Sequence, residues 1–319
     1  MIASLLRANL ALQVLIAALL ATWLARGPGE HFYLAGNIAI AVLGVALLHP
    51  LFVCTQFLIA RLAASPVPDE HRLSLSQALA TLDAELDASV RAFCWAQPFL
   101  WRRPIPQPQS AAADAPDAAA PKPLPILFIH GYFCNQAVWQ PLMAEAARRG
   151  HACAAVNLEP VFAGIDDYAP RIEAAFSALL AAQGATCAAV VAHSMGGLAA
   201  RAWMRQHGHE RVARLVTIGT PHAGTVLAAF ASGANGKQMR RGSLWTATLA
   251  AAEPPERRAR ISAIWSHHDN VVAPQSSGAL EGAHNLAISG HGHVSMVYSA
   301  QVHELVFAEI GAPVYPVRP

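Results

Sequence analysis

The chain has 319 residues, 54% of them hydrophobic and 13% charged, so it is more apolar and less charged than an ordinary soluble domain. The formal net charge is only +2 and no block of basic residues occurs, which argues against a nucleic-acid partner. The five cysteines are scattered, without Cys-x-x-Cys spacing, and predict neither a disulfide framework nor a zinc site. We expect no metal ion and no other cofactor.

Two apolar segments near the N-terminus, residues 8–25 and 32–60, contain no Asp, Glu, Lys or Arg. As helices, both are long enough to cross a hydrocarbon core of about 30 Å at about 1.5 Å per residue. A cleaved signal peptide is the alternative for the first segment, but the second follows almost at once and the intervening sequence is a poor cleavage site. We therefore predict a transmembrane helical hairpin, with a kink or an end of the regular helix at His49-Pro50.

The basic residues that flank these segments predict the orientation of the hairpin. Arg7 precedes the first segment, Arg26 lies in the short connection, and Arg61 and Arg72 follow the second segment. Because cytoplasmic flanks carry the excess of Lys and Arg, both ends of the hairpin are expected inside the cell. The downstream part of the chain is then cytoplasmic.

Composition divides the chain into four parts. Residues 1–64 form the predicted two-helix anchor, 65–103 a juxtamembrane region with an amphipathic helix, 104–123 a Pro/Ala-rich linker, and 124–319 a domain of its own. In the juxtamembrane region, apolar side chains recur at helical spacing. They are Leu75, Leu79, Leu82, Leu86, Val90 and Phe93. Four aromatic residues at its end are expected to lie at a membrane interface or to pack against the following domain. They are Phe93, Trp95, Phe99 and Trp101.

From residue 124 onward, short apolar runs alternate with helical patterns, which is typical of an α/β fold with a mostly parallel sheet. The predicted strands cover residues 125–129, 152–156, 188–192, 215–218, 261–265 and 285–288. The segment between residues 224 and 261 has room for one or two helices only. We therefore expect no large lid and an open, shallow, apolar pocket.

The segment 190–197, Val-Val-Ala-His-Ser-Met-Gly-Gly, has the pattern of a nucleophile elbow. Such a turn from strand to helix exposes the hydroxyl of Ser194 and needs small neighbours, which Ala192 and Gly196 provide. A predicted helix over 195–206 would direct its N-terminal amides at this hydroxyl. The alternative is that Ser194 only caps the helix.

A second group of residues follows the first strand of the α/β domain. His130-Gly131 occupies the position where hydrolases with a nucleophile elbow place an oxyanion amide, so the backbone N–H groups of Tyr132 and Met195 are the candidate donors. An ordinary turn glycine at the end of a strand is the alternative explanation of Gly131.

Candidates for the acid and the base occur late in the chain. Asp269 follows a strand, whereas Asp166 and Asp167 precede the serine, and the chain order serine, acid, histidine favours Asp269. Asp269 could instead be a turn residue. His291 and His293 compete as the base within a glycine-rich loop, and a metal site remains a further alternative for the nearby polar residues. Those residues are His267, His268, Asp269, His291 and His293.

These motifs together resemble the small bacterial triacylglycerol lipases of the α/β-hydrolase superfamily over residues 124–310. The resemblance rests on Ala-His-Ser-Met-Gly-Gly, Gly-His-Gly-His-Val, Ser-x-x-Asp-x-Val-Val and Gly-Thr-Pro-His-Ala-Gly-Thr. It implies that Ser194, Asp269 and His293 are catalytic and that Tyr132 belongs to the oxyanion hole. It also implies six motif or pocket positions, namely His130, Gly131, His193, Gly196, Pro221 and His222.

The expected activity is therefore that of a serine ester hydrolase anchored in a membrane, the bacterial inner membrane by the resemblance, with lipids or small esters as substrates and the bilayer as partner. An acyltransferase or thioesterase with the same triad remains possible. So does a binding protein that kept the hydrolase fold without turnover, because fold does not dictate function. The oligomeric state is not indicated by the sequence.

Overall fold

The computed structural model describes residues 1–27, 33–108 and 123–313. Its first part contains the helices α1 (Ile2–Arg26), α2 (Leu34–Ala46) and α3 (Leu48–Leu62), of which α1 and α2 pack side by side. The connection at 28–32 and most of the predicted linker, 109–122, lie outside the described residues.

The break between α2 and α3 at Leu47 agrees with the expected effect of His49-Pro50. Pro50 has no N–H to donate to the carbonyl of Ala46, so the helix is interrupted just before it. The spans Ile2–Arg26 and Leu34–Leu62 are long and apolar enough to cross a membrane. Only 6% and 11% of their most apolar windows are buried, so neither span packs like the core helix of a soluble protein.

The predicted juxtamembrane region, residues 65–103, contains a short 3-10 helix (Asp69–His71), then α4 (Leu75–Val90), a π-helix (Arg91–Ala96) and the short helix α5 (Gln97–Phe99). A capping box of Ser74 and Gln77 fixes the start of α4. The apolar positions of the predicted amphipathic helix do not form its buried face in the first turns, since Leu75 and Leu79 are 78% and 57% exposed. The buried face carries small and polar side chains instead. They are Thr81, Glu85, Ala88 and Ser89.

A six-stranded, all-parallel sheet forms the centre of the α/β domain. Its strands are β1 (Ile126–Ile129), β2 (Cys153–Val156), β3 (Ala188–His193), β4 (Val212–Ile218), β5 (Ile261–Ser266) and β6 (His284–Ile288). Their order is β2-β1-β3-β4-β5-β6. Each predicted strand is present within three residues of its expected bounds, and the predicted α/β class is confirmed.

Helices cover both faces of the sheet, so its strands are buried on both sides. On one face lie α7 (Ala169–Gln183) and α8 (Met195–His207), which pack against Leu127, Val190 and other residues. The other face is covered by α6 (Gln140–Arg148), α12 (Ser295–Tyr298) and α13 (Ala300–Gly311), packed against Phe128 and Val191. Alternate residues of one strand thus contribute to two cores.

Between β4 and β5 the chain forms a 3-10 helix (Val226–Phe230) and three short helices, α9 (Gly233–Gln238), α10 (Leu244–Ala251) and α11 (Pro255–Arg258). The expectation of one or two helices was wrong because these helices have only four to eight residues. Thr225 N donates to the carbonyl of Met239 and Arg241 N to the carbonyl of Thr225, which ties the start of the segment to its middle.

Both ends of the N-terminal helical hairpin contact the α/β domain. At the start of α1, Ile2 and Leu6 pack with Phe133 and Val161. Just after α3, Ser65 N donates to Gln275 Oε1 at 3.2 Å, and within α3, Gln56 Oε1 accepts a hydrogen bond of 3.1 Å from Asn270 Nδ2. These contacts all involve loops that follow strands, so the two helix ends meet the C-terminal edge of the sheet.

Candidate active site

Ser194 lies between β3 and α8 in a strained backbone conformation, with φ 56° and ψ −129°. Its N–H donates to the carbonyl of Ile218 at 2.9 Å, which ties the turn to β4. Ser194 makes no side-chain capping bond to α8, so the alternative of a purely capping serine does not describe this turn. This strained backbone at the serine is typical of a nucleophile elbow.

Two glycines lie so close to the turn at Ser194 that neither leaves room for a side chain. A methyl group on Gly196 would lie 2.4 Å from the carbonyl oxygen of Ile129, a backbone atom that cannot move away cheaply. A methyl group on Gly131 would lie 2.8 Å from Cβ of Ser194. Gly131 therefore lets the loop after β1 lie directly against the serine, which an ordinary turn glycine need not do.

Asp269 and His293 form a buried pair on the loops after β5 and β6. Oδ2 of Asp269 lies 2.8 Å from Nδ1 of His293, and the exposed fractions of the two residues are 2% and 5%. The other carboxylate oxygen, Oδ1, accepts hydrogen bonds from the N–H groups of Val271 and Val272 at 2.7 and 2.8 Å. Asp269 is thus both a turn residue and the partner of the histidine.

The charge environment favours the protonated form of His293. Burial alone lowers the pKa of His293, but the charge and hydrogen bond of Asp269, together with the charge of Glu85, raise it above its ordinary value of 6.5. The backbone also holds this residue, since His293 N donates to Asn270 Oδ1 at 2.8 Å.

The residue that precedes the serine, His193, contacts His293. The imidazole rings of His193 and His293 lie 4.6 Å apart, and His193 Nε2 is 3.1 Å from the carbonyl oxygen of His293. Among the described residues, the Ser194 hydroxyl makes no hydrogen bond, and its bond to His293 is not formed. Catalytic hydrogen bonds of this type are often long without substrate.

Two further histidines of the motifs, His193 and His130, are uncharged and help to hold the loops of the site in place. Burial lowers the pKa of His193 well below its ordinary value and that of His130 to about 4. Nε2 of His130 accepts the N–H of Leu158 at 3.0 Å, so its proton is on Nδ1, which lies 2.9 Å from the carbonyl oxygen of Gly131. His130 therefore fixes the loop after β1 to the loop after β2.

The loop after β1 is the predicted oxyanion loop. Within the described part of the chain, the N–H groups of Tyr132 and Met195 have no acceptor, which leaves both free for a substrate oxygen. The phenol of Tyr132 donates to the carbonyl of Ser232 at 3.1 Å and accepts its N–H at 3.0 Å. From α5, Gln97 Oε1 accepts the N–H of Asn135 at 2.7 Å. Sequence reasoning did not identify the role of Gln97.

The rival candidates for the acid and the base have other partners. Asp166 accepts hydrogen bonds from Arg205 and Trp245, and Asp167 accepts one from Gly164 N. The ring nitrogens of His291 lie 2.8 Å from Ser289 O and Ser299 Oγ. These three residues therefore stay outside the Asp269–His293 pair.

Pro221 and His222, two of the expected motif or pocket positions, are both buried. Nδ1 of His222 accepts a hydrogen bond of 3.1 Å from Arg201, and Nε2 lies 3.2 Å from Thr217 Oγ1. Arg201 in turn pairs with Glu253, and both side chains are fully buried. His222 thus belongs to a polar network behind β4.

The remaining histidines of the candidate metal group, His267 and His268, directly precede Asp269 in the chain. The ring of His267 stacks on that of His71 at 4.4 Å, and burial lowers the pKa of His268 to about 4. In the described ranges, no three His, Cys, Asp or Glu side chains are arranged to hold a metal ion.

A cavity of about 1130 Å³ lies between α3, α4 and the loop of Asp269. Phe57, Leu79 and Leu82 supply part of its apolar lining, and His267 contributes to its polar side. Ser194 does not line it, so this cavity differs in place from the shallow pocket expected over the serine.

Comparisons with known proteins agree with this architecture. The profile of the family described as PGAP1-like alpha/beta domain matches residues 168–254. A curated triacylglycerol lipase from Burkholderia plantarii is 29% identical over 153 residues, which cover 44% of this chain and 42% of that protein. The chain thus matches less than half the length of this relative.

Two solved structures are similar to the chain with a TM-score of 0.55 each. A Bacillus licheniformis lipase in its mature form is 17% identical, and the match covers 65% of this chain and 95% of the lipase. Aspergillus fumigatus lipase B is 13% identical, with 94% of this chain and 87% of the lipase covered. Together with the parallel sheet and the strand-to-helix turn at Ser194, these likenesses show that the chain has the α/β-hydrolase fold, which it shares with these two lipases.

Proposed function

We propose that the protein is a membrane-anchored serine hydrolase of carboxylic esters, with lipids or smaller acyl esters as substrates. The observation that carries the proposal is the Asp269–His293 hydrogen bond beside a serine held at positive φ in a strand-to-helix turn. The similarity to a curated triacylglycerol lipase and to solved lipases supports an ester as the substrate.

In the proposed reaction, Ser194 Oγ attacks the ester carbonyl carbon while His293 Nε2 accepts the hydroxyl proton. Asp269 orients the imidazole through Nδ1 and stabilises its protonated form. The N–H groups of Tyr132 and Met195 bind the oxyanion, and each donor is worth roughly 3 kcal/mol of the barrier. The imidazolium then protonates the leaving alcohol, and water releases the acyl group by the same steps.

The hairpin of α1, α2 and α3 is the proposed membrane anchor, with the hydrolase domain on the cytoplasmic side. Large apolar side chains point outward along it, and a surface of this kind is stable only when something apolar covers it. Leu15, Leu19 and Leu43, for example, are 54%, 60% and 60% exposed. Both helix ends meet the hydrolase domain, which supports one membrane side for the two ends.

Hydrolysis of p-nitrophenyl esters of increasing acyl length by the full chain in detergent micelles tests the proposal. Ser194→Ala is expected to fold normally, because the hydroxyl makes no hydrogen bond within the described residues, and to lose at least 1000-fold in rate, on the order expected for loss of a catalytic nucleophile. Ser76→Ala is the matched control, since this serine is exposed on α4 and should leave the rate unchanged.

Other outcomes separate the alternatives. Preferential transfer of the acyl group to an added alcohol identifies an acyltransferase, and preferential cleavage of acyl thioesters a thioesterase. A folded wild-type chain without turnover of any of these substrates contradicts the proposal and favours a binding protein.

A further inference from the structure

A second carboxylate, that of Glu85, lies beside the catalytic histidine loop and comes from outside the hydrolase domain. Glu85 belongs to α4 and is 1% exposed. Its Oε1 accepts the N–H of Val294 at 2.9 Å, and its Oε2 accepts the N–H of Ser295 at 2.8 Å. These are the two residues that follow His293.

The approach of this carboxylate depends on the glycine before the histidine. A methyl group on Gly292 would lie 2.5 Å from Oε2 of Glu85. Gly292 and Ser295 are also joined, since Ser295 Oγ donates to the carbonyl of Gly292 at 3.2 Å. Glu85 therefore binds the backbone directly after His293 and lies against the glycine directly before it, over a sequence separation of about 200 residues.

An isolated carboxylate is costly to bury, and here two backbone N–H groups compensate it. Burial, with a smaller contribution from the charge of Asp269, raises the pKa of Glu85 above its ordinary value of 4.5, although the hydrogen bonds from Val294 and Ser295 and the charge of His293 oppose this rise. Capping of α12 alone does not explain why a carboxylate is buried here, because α12 has only four residues.

The groups that face His293 come from three elements. Asp269 approaches from the loop after β5, His193 from the end of β3, and Glu85 from α4. His193 is neutral, so the two carboxylates supply the negative charge around the imidazole.

We propose that Glu85 is a positioning residue for catalysis: through the N–H groups of Val294 and Ser295 it fixes the backbone that places the imidazole of His293 between Asp269 and Ser194. The juxtamembrane region thereby completes an active site whose reacting groups all lie in the hydrolase domain. This inference rests on the proposed function.

The test compares full-length Glu85→Gln, Glu85→Asp and wild type in detergent. Glutamine keeps the volume but loses the charge and one of the two acceptors. We expect Glu85→Gln to lower kcat by 10- to 100-fold with little change in KM, because a small misplacement of a catalytic group costs up to about 100-fold. The acid limb of kcat/KM should also move to lower pH, since one negative charge near the imidazole is gone. Glu85→Asp should keep the acid limb closer to wild type.

Asp83→Asn is the matched control, because Asp83 is an exposed carboxylate on the same helix. Unchanged kcat and pH profile in folded Glu85→Gln would overturn the inference. The inference would also be overturned if the activity of Glu85→Gln fell only in proportion to the amount of folded protein and the folded fraction kept the wild-type pH profile. Glu85 would then be a residue that stabilises the fold.

Labelling of Ser194 by a fluorophosphonate separates this inference from the proposed function. Labelling of wild type at a normal rate, with equal labelling of Glu85→Gln, refutes the role of Glu85 and keeps the serine mechanism. Absence of both labelling and ester hydrolysis in folded wild type refutes the proposed function and the inference with it.

Discussion

The protonation state of His293 sets the pH range in which the proposed reaction runs. The base must be neutral to accept a proton, and the pKa of His293 is raised above 6.5 by Asp269 and Glu85 despite burial. We therefore expect kcat/KM to fall as the pH decreases through this raised pKa, with the midpoint of the acid limb above 6.5. A pH–rate profile of the full chain measures it, and a midpoint below 6.5 would contradict the assignment.

Removal of the negative charge on Asp269 should reverse this effect. In Asp269→Asn, burial is no longer opposed by that charge, so the acid limb should move to lower pH while kcat falls by about 10⁴. Asp166→Asn is the control, because Asp166 pairs with Arg205 outside the site. Equal rates for Asp269→Asn and wild type would exclude the triad.

Gly196, two residues after Ser194, allows a prediction based on steric fit. Gly196→Ala should strongly destabilise the fold or abolish activity, because its methyl group meets the backbone oxygens of Ile129 and His130 at 2.4 and 2.6 Å. Gly311→Ala should have little effect, since nothing lies within 4 Å of its methyl group. Thermal unfolding of both variants in detergent checks this, and an equally stable Gly196→Ala would show that the elbow is looser than described.

Sequence analysis predicted the candidate catalytic residues that belong to local motifs. Ser194 was predicted from an elbow pattern and Asp269 from chain order, whereas only the resemblance to bacterial lipases selected His293 over His291. The structure brings Asp269 and His293 into direct contact. Glu85 and Gln97 were missed because their contacts cross large sequence distances and leave no local pattern. A charged residue in an amphipathic helix is ordinarily assigned to the face that is exposed to solvent.

At the level of secondary structure, prediction succeeded where burial is uniform. The six strands are short apolar runs buried on both faces, so composition alone marks them. For α4, the pattern predicted the helix but did not identify the side that packs on the hydrolase domain, which carries Thr81 and Glu85. Hydrogen bonds to a partner loop decided that packing, and periodicity cannot report them.

The buried pair Arg201–Glu253 connects α8 to the segment after β4. Both side chains are fully buried, and Arg201 Nε lies 2.8 Å from Glu253 Oε1. Glu253→Gln should lower the free energy of unfolding by about 3 kcal/mol, because it leaves a buried guanidinium without its counter-charge.

Guanidinium titration followed by tryptophan fluorescence measures this loss. The control is Asp87→Asn, whose partner Arg91 is exposed, so its effect should stay under about 1 kcal/mol. Equal stability of the two variants would contradict the importance of burial for this pair.

For the molecule as a whole, the membrane assignment of the hairpin predicts how charge affects its retention. Leu15→Lys combined with Leu43→Lys should release the protein from membranes, because each lysine near a helix centre costs about 3 kcal/mol in a bilayer. Leu75→Lys is the control, being 78% exposed on α4 outside the hairpin. The fraction that remains in the pellet after an alkaline carbonate wash is the measurement, and full retention of the double variant would refute the anchor.

Contact of both hairpin ends with the sheet edge that bears Ser194 has a kinetic consequence. With the proposed anchor in a bilayer, the proposed enzyme would meet a lipid ester by diffusion in two dimensions, so its rate would depend on the mole fraction of ester at the membrane surface. Initial rates in vesicles should therefore follow the mole fraction of ester in the lipid. Dilution of the vesicles with an inert lipid, at constant total ester, should slow turnover in proportion.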